Sequence, residues 1–152
     1  METDKTIDVL NELITINNDR IEGYHTASEE TEEQDLKSLF SQFISVSQNC
    51  KRELVSEVVR LGGEVAEGTK TTGKFFRVWM DVKAALTGKD RKEILDSCEF
   101  GEDVAVETYE KALKDNSSAL TTEQQTLIRA QHSVIKANHD QIKSMRDALV
   151  TS

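Results

Sequence analysis

The sequence predicts an all-α fold: four long helices around one core, with a shorter helix in the long connection between the second and third. Three observations carry this. The 152 residues contain no proline, where average usage would place about seven. Proline breaks a helix interior because it lacks the backbone donor and clashes with the preceding turn. Four segments carry apolar residues at alternating steps of three and four, the period of a helix with one buried face. No segment shows the period-two alternation of a competing strand. With 37% hydrophobic and 31% charged residues, the chain suits one domain spanning residues 1–152.

The first helix, about residues 4–30, aligns Ile7, Leu10, Ile14, Asn17, Ile21 and Tyr24 on one stripe. The second, about 32–61, aligns Leu36, Phe40, Phe43, Ser47, Cys50, Leu54, Glu57 and Leu61. Thr31 and Gln34 have capping-box spacing at its start, where each side chain can satisfy an orphan backbone N–H. Gly62-Gly63 can end it, since glycine enters the left-handed region without a Cβ penalty. After the stretch GGEVAEGTKTTG, a short helix over about 73–87 places Phe75, Trp79, Val82 and Leu86 on one face, and Gly88 can close it. The third long helix, about 90–114, follows the Asp90/Glu93 capping pair and aligns Leu95, Cys98, Glu102, Ala105, Tyr109 and Ala112. KDNSSALTT breaks the pattern. The fourth, about 122–150, follows the Thr121/Gln124 pair and aligns Ile128, Gln131, Ile135, Asn138, Ile142, Met145 and Leu149.

Short first and last connections predict two antiparallel hairpins. Residues 62–89 are long enough to cross the bundle, which leaves the second and third long helices parallel. The formal net charge of −9 repels phosphate backbones and argues against nucleic-acid binding. No 20-residue apolar span or secretory signal is visible, and METDKTIDVL is charged and polar. The expectation is a cytoplasmic protein off the membrane. Cys50 and Cys98, far apart on apolar faces, read as reduced core residues. There is no glycine-rich phosphate loop, no Cys-x-x-Cys and no nucleophile–His–acid set, so the reading leans away from an enzyme.

NDRIEGY (18–24), RLGGE (60–64), RVWMDVKAALTGKD (77–90), GEDVAVETYEKAL (101–113) and NHDQIKSMRD (138–147) together resemble a bacterial family of ferritin-like four-helix-bundle proteins of unknown function. The resemblance covers nearly the whole chain. It implies a ferritin-like bundle whose long crossover holds the short extra helix, and it supplies no activity. Phe76 stands where the resemblance leads one to expect a histidine. Trp79 with Phe75 and Phe76 read as a core plug packed by the crossover, with an exposed patch for another subunit as the alternative. The resemblance also suggests side-by-side pairing, and such a patch on an outer crossover would fit a homodimer.

Glu102 is the residue that asks for an explanation, a carboxylate in the middle of an apolar face. A standard di-metal centre needs a Glu from each of two helices and a Glu-x-x-His from each of the other two. Neither Glu-x-x-His motif is present, because Ser56 follows Glu53, Arg60 follows Glu57, and Arg129 and Lys136 precede His132 and His139 at that spacing. A non-standard site for iron or manganese remains open, drawn from Glu22, Glu53, Glu57, Glu102 and His139, with His25 as a substitute for Glu22. The favoured reading needs no metal or other cofactor: Asn17, Ser47, Cys50, Glu102, Gln131 and Asn138 fall near the middles of their helices and would stack as a polar layer, with Tyr109 on the same face as Glu102. On that reading Glu102→Gln is mild and Glu102→Leu is harsher. The functional expectation is a non-enzymatic stress or interaction protein with a degenerate di-metal site. The alternative is a metal-binding protein with a redox or storage role.

Overall fold

The computed structural model describes residues 2–66 and 91–151, and these are helical apart from short connections. In chain order they form α1 (Glu2–Glu30), α2 (Gln34–Arg60), α3 (Arg91–Asp115), a 3-10 turn (Ser117–Ala119) and α4 (Thr122–Thr151), with no strand among the described residues. The expected short helix over 73–87, with Phe75, Phe76, Trp79, Val82, Leu86 and Gly88, lies outside the described residues, as does Asp90 of the Asp90/Glu93 pair.

Helix directions follow from cross-helix bonds. Lys37 Nζ donates to the Ser28 carbonyl (2.8 Å) and Arg20 Nη1 to Ser47 Oγ (2.6 Å), so α1 and α2 run antiparallel. His132 lies 3.0 Å from Glu110 and His139 2.5 Å from Asp103, so α3 and α4 do too. Asn17 reaches Tyr109 while Arg20 reaches Glu102, which sets α1 antiparallel to α3. Therefore α2 and α3 are parallel. Arg91, at the start of α3, binds Glu33 (2.9 Å) and Asp35 (2.7 Å) at the start of α2, as this arrangement requires.

The helix ends have local causes. Thr121 and Gln124 form the reciprocal box: Gln124 N donates to Thr121 Oγ1 (3.1 Å) and Thr121 N donates to Gln124 Oε1 (2.9 Å). The Thr31/Gln34 expectation is corrected. Here α2 starts at Gln34 with Glu33 as its N-cap and no side-chain cap bond. Thr31 Oγ1 instead accepts from Glu33 N two residues on, which turns the chain before the helix begins. At the far end Gly62 has φ +77°. Gly63 N bonds the Val58 carbonyl and Gly62 N the Val59 carbonyl, both at 3.0 Å, the paired pattern of a Schellman stop. Asn11 then holds the departing chain, donating to the Glu64 carbonyl and accepting from Ala66 N, both at 2.8 Å.

Two apolar clusters form the core. One holds Leu10, Leu13, Ile14, Leu54, Val58, Ile128 and Ile135. The other holds Tyr24, Leu36, Phe40, Phe43, Leu95, Cys98 and Ile142. The expected stripes of α2 and α3 are buried along most of their length, whereas the α4 stripe loosens at its end, where Met145 is half-buried and Leu149 exposed. On α1 the expected position Ile21 is only half-buried, and its neighbour Arg20 is fully buried.

Candidate functional site

Arg20 lies between the two apolar clusters, and its surroundings contain one polar side chain from each other helix. Its Nε (3.0 Å) and Nη2 (2.8 Å) both donate to Glu102 Oε1 on α3. Nη1 donates to Ser47 Oγ on α2 at 2.6 Å, and Nη2 to Asn138 Oδ1 on α4 at 3.2 Å. The Tyr24 hydroxyl also donates to Glu102 Oε1. The Tyr24 ring packs on Phe40 and Phe43, with centroids 5.3 Å away in each case, and the guanidinium carbon lies 5.6 Å from its centroid. Arg20, Tyr24, Ser47 and Glu102 are all at 0% exposure, so no substrate reaches them in this state.

The ion pair explains the carboxylate. An isolated buried carboxylate costs several kcal/mol, and a hydrogen-bonded counter-charge offsets this. Burial alone would lower the Arg20 pKa, but Glu102 beside it produces a net rise, so the guanidinium stays charged. Burial, with Glu102 adding to it, pushes both the Tyr24 hydroxyl and the Cys98 thiol well up. Burial raises the Cys50 thiol to about 11, against an opposing pull from Arg20. Both cysteines are free and buried, and such thiols are poor nucleophiles at neutral pH. Glu102 Oε1 takes all three donors, while Oε2 is buried with no hydrogen-bond partner among the described residues.

A second polar layer lies one step along. Asn17 Nδ2 donates to the Tyr109 hydroxyl (2.8 Å), which donates to Gln131 Oε1 (2.7 Å). Gln131 Nε2 donates to the Cys50 carbonyl (3.2 Å) and to Glu53 Oε1 (3.1 Å). The expected polar residues are thus buried, but in two layers rather than one. Gln131 and Asn17 serve Tyr109, and Ser47 and Asn138 serve Arg20. The arginine is what sequence reasoning missed. Its position, three after Asn17 and four before Tyr24, fits the α1 stripe, but so does that of Ile21.

The five candidate ligands do not converge. Glu22 is exposed, and so is His25, which lies 3.4 Å from Glu29. Glu57 pairs with Arg60 at 2.8 Å and accepts from Gln124 at 3.2 Å. Gln124, Gln131 and Asn138 are spaced by seven residues on α4, a rise of about 10 Å each. Glu57 and Glu53 therefore meet α4 at different heights, through Gln124 and Gln131, and Glu102 is linked to Asn138 through Arg20. Within the interior, Glu102 Oε1 is taken by the Arg20 guanidinium.

His139 gathers different partners. Glu99, Asp103 and His139 each offer one ligand atom, all within 4.8 Å of one another, the single such group among the described residues. His139 Nε2 lies 2.5 Å from Asp103 Oδ1, and its Nδ1 lies 3.0 Å from Asp140 Oδ1. Arg146 Nη1 contacts Glu99 Oε2, while its Nε lies 3.5 Å from Asp96 and its Nη2 2.9 Å from Asp147. Glu99 and Asp103, one turn apart on the α3 edge facing α4, were not singled out by sequence reasoning, which followed the apolar stripe.

Residues 5–115 match the family model described as a domain of unknown function (DUF2383). No curated protein matches the chain. No described helix is long and apolar enough to cross a membrane.

Proposed function

We propose, for a chain that belongs to the DUF2383 family, a non-enzymatic ferritin-like bundle acting as a stress or interaction protein. In this reading a fixed ion pair stands where a di-metal centre would otherwise lie. The supporting observation is the fully buried Arg20 guanidinium, held by Glu102, Ser47 and Asn138 from three other helices. A positive group built into the interior competes with any cation for Glu102. The Arg20 and Glu102 side chains are fully buried, which supports a structural rather than a catalytic role. The net charge of −9 favours partners other than nucleic acid, and the reading includes a cytoplasmic homodimer.

The test is metal analysis of tag-free protein purified without chelator, with light scattering on the same sample. Expected is no iron or manganese that depends on Glu102, and a mass above the 17.1 kDa of one chain. Near-stoichiometric iron or manganese, lost in a Glu102→Gln variant that remains helical by circular dichroism, would overturn the proposal in favour of storage or redox chemistry. A mass of one chain at every concentration would remove the homodimer.

A further inference from the structure

The geometry points to a divalent-cation site on the α3–α4 seam, outside the Arg20 layer: His139 Nε2 and the Asp103 and Glu99 carboxylates, suited to a first-row metal of the manganese-to-zinc series. Two carboxylates and one imidazole form a mixed oxygen–nitrogen donor set, which suits these ions. Glu99 and Asp103 are four apart on α3 and share a face. His139 approaches them from α4. Their ligand atoms lie within 4.8 Å of one another. An ion bound about 2.0–2.2 Å from each donor needs donors no more than about 4.4 Å apart. Side-chain adjustment of a few tenths of an ångström, on the order of ordinary thermal displacement, closes that gap.

A second observation, from outside the three ligands, supports the histidine's role. Asp140 Oδ1 lies 3.0 Å from His139 Nδ1. A carboxylate there can accept an Nδ1 proton, which leaves Nε2 available to an ion bound between it and Asp103. Metal-binding histidines almost always donate their second ring N–H to a carboxylate, backbone carbonyl or water, which fixes the tautomer and raises ligand basicity, and Asp140 is a partner of this kind. Asp140 is itself held by Lys136 at 2.8 Å. The His139 side chain is 12% exposed and that of Glu99 13%, whereas Asp103 is 49% exposed. Two ligands are therefore held firmly and the third faces water, through which an ion enters and keeps its remaining aquo ligands. Arg146 competes for Glu99, but it is shared with Asp96 and Asp147. Without a cation His139 Nε2 and Asp103 Oδ1 remain in direct contact at 2.5 Å.

The rung one heptad away provides the control. His132 lies 3.0 Å from Glu110, the same pairing without a third ligand or an outer carboxylate among the described residues. Chelator-stripped, tag-free full-length protein is titrated with Mn²⁺ and Zn²⁺ by calorimetry, and the metal-induced rise in Tm is read in parallel. The expected result is one saturable ion per chain. Asp103→Asn and His139→Gln each weaken it by at least about tenfold, and Asp140→Asn by about 10–100-fold. His132→Gln leaves binding unchanged, and so does Glu102→Gln if that variant folds, because neither touches the site. No saturable binding in the parent overturns the proposal. So does binding that survives both Asp103→Asn and His139→Gln. Asp103 is half-exposed, so its variant remains informative even if His139→Gln does not fold. Metal lost only with Glu102→Gln would instead defeat the reading of the Arg20 layer, so the two failures are distinguishable.

Discussion

Glu102→Gln, mild if the interior held only amides, becomes severe once Arg20 is its partner. Glutamine keeps the size of the side chain but leaves a guanidinium at 0% exposure with no counter-charge. Removing one partner of a buried ion pair costs about 3–5 kcal/mol. Glu102→Gln and Glu102→Leu are both expected to lose stability of that order, measured by urea unfolding. A loss below about 1 kcal/mol for Glu102→Gln, the size of an ordinary hydrogen bond, would show that the guanidinium does not depend on the carboxylate. The burial of Asn17, Ser47, Cys50, Glu102, Gln131 and Asn138 was legible because each falls on a three-and-four stripe. Arg20 fits the same stripe as well as Ile21 does. A reading by hydrophobicity selects the isoleucine, and only the waiting carboxylate on another helix selects the arginine. That information lies 82 residues away in the chain.

At the scale of the helix, local signals predicted ends well where local chemistry alone decides them. The Thr121/Gln124 box forms reciprocally, and Gly62 adopts φ +77° as a left-handed stop requires. The Thr31/Gln34 box has the same spacing but does not form, because the helix starts three residues after Thr31. Spacing alone does not show which residue leaves helical geometry first. Gly62 and Gly63 have different reasons for being glycine. A Cβ at Gly62 meets nothing within 4 Å, so its constraint is the backbone alone. A Cβ at Gly63 would fall 2.8 Å from Ile7 Cδ1, so its constraint is packing against α1. Gly62→Ala is expected to cost about 1–2 kcal/mol, the penalty for an L-residue in the left-handed region, while Gly62→Asn costs less because Asn tolerates that region. Equal stability of the Ala variant and the parent, by thermal unfolding, would mean that the stop does not need φ above zero.

For the whole molecule, the expected pairing of hairpins and the parallel α2 and α3 were legible from connection lengths alone. What connects the hairpins was not, since it depends on partners brought together by folding. The Arg20–Glu102 and Asn17–Tyr109 bonds join α1 to α3, and Gln131 joins α4 to α2 at Glu53 and the Cys50 carbonyl. These layers interrupt apolar surfaces that would otherwise tolerate small slips of one hairpin against the other. The pair therefore contributes to register more than to total stability. Replacing a whole buried ion pair by apolar groups of similar volume is often neutral or stabilising, while removing one partner is not. Arg20→Met combined with Glu102→Met is thus expected to recover most of the loss seen in either single variant, a coupling of about 3 kcal/mol at the top of the range for contacting residues. The consequence for register appears in native-state hydrogen exchange. In the parent, the slowest amides of α1–α2 and of α3–α4 are expected to open together at the global unfolding free energy. In the double variant the two hairpins are expected to separate into two opening units, even where total stability is restored. If the slowest amides of both hairpins still open at one shared free energy in the double variant, packing of the apolar clusters alone sets the register, and the Arg20 layer has no part in it.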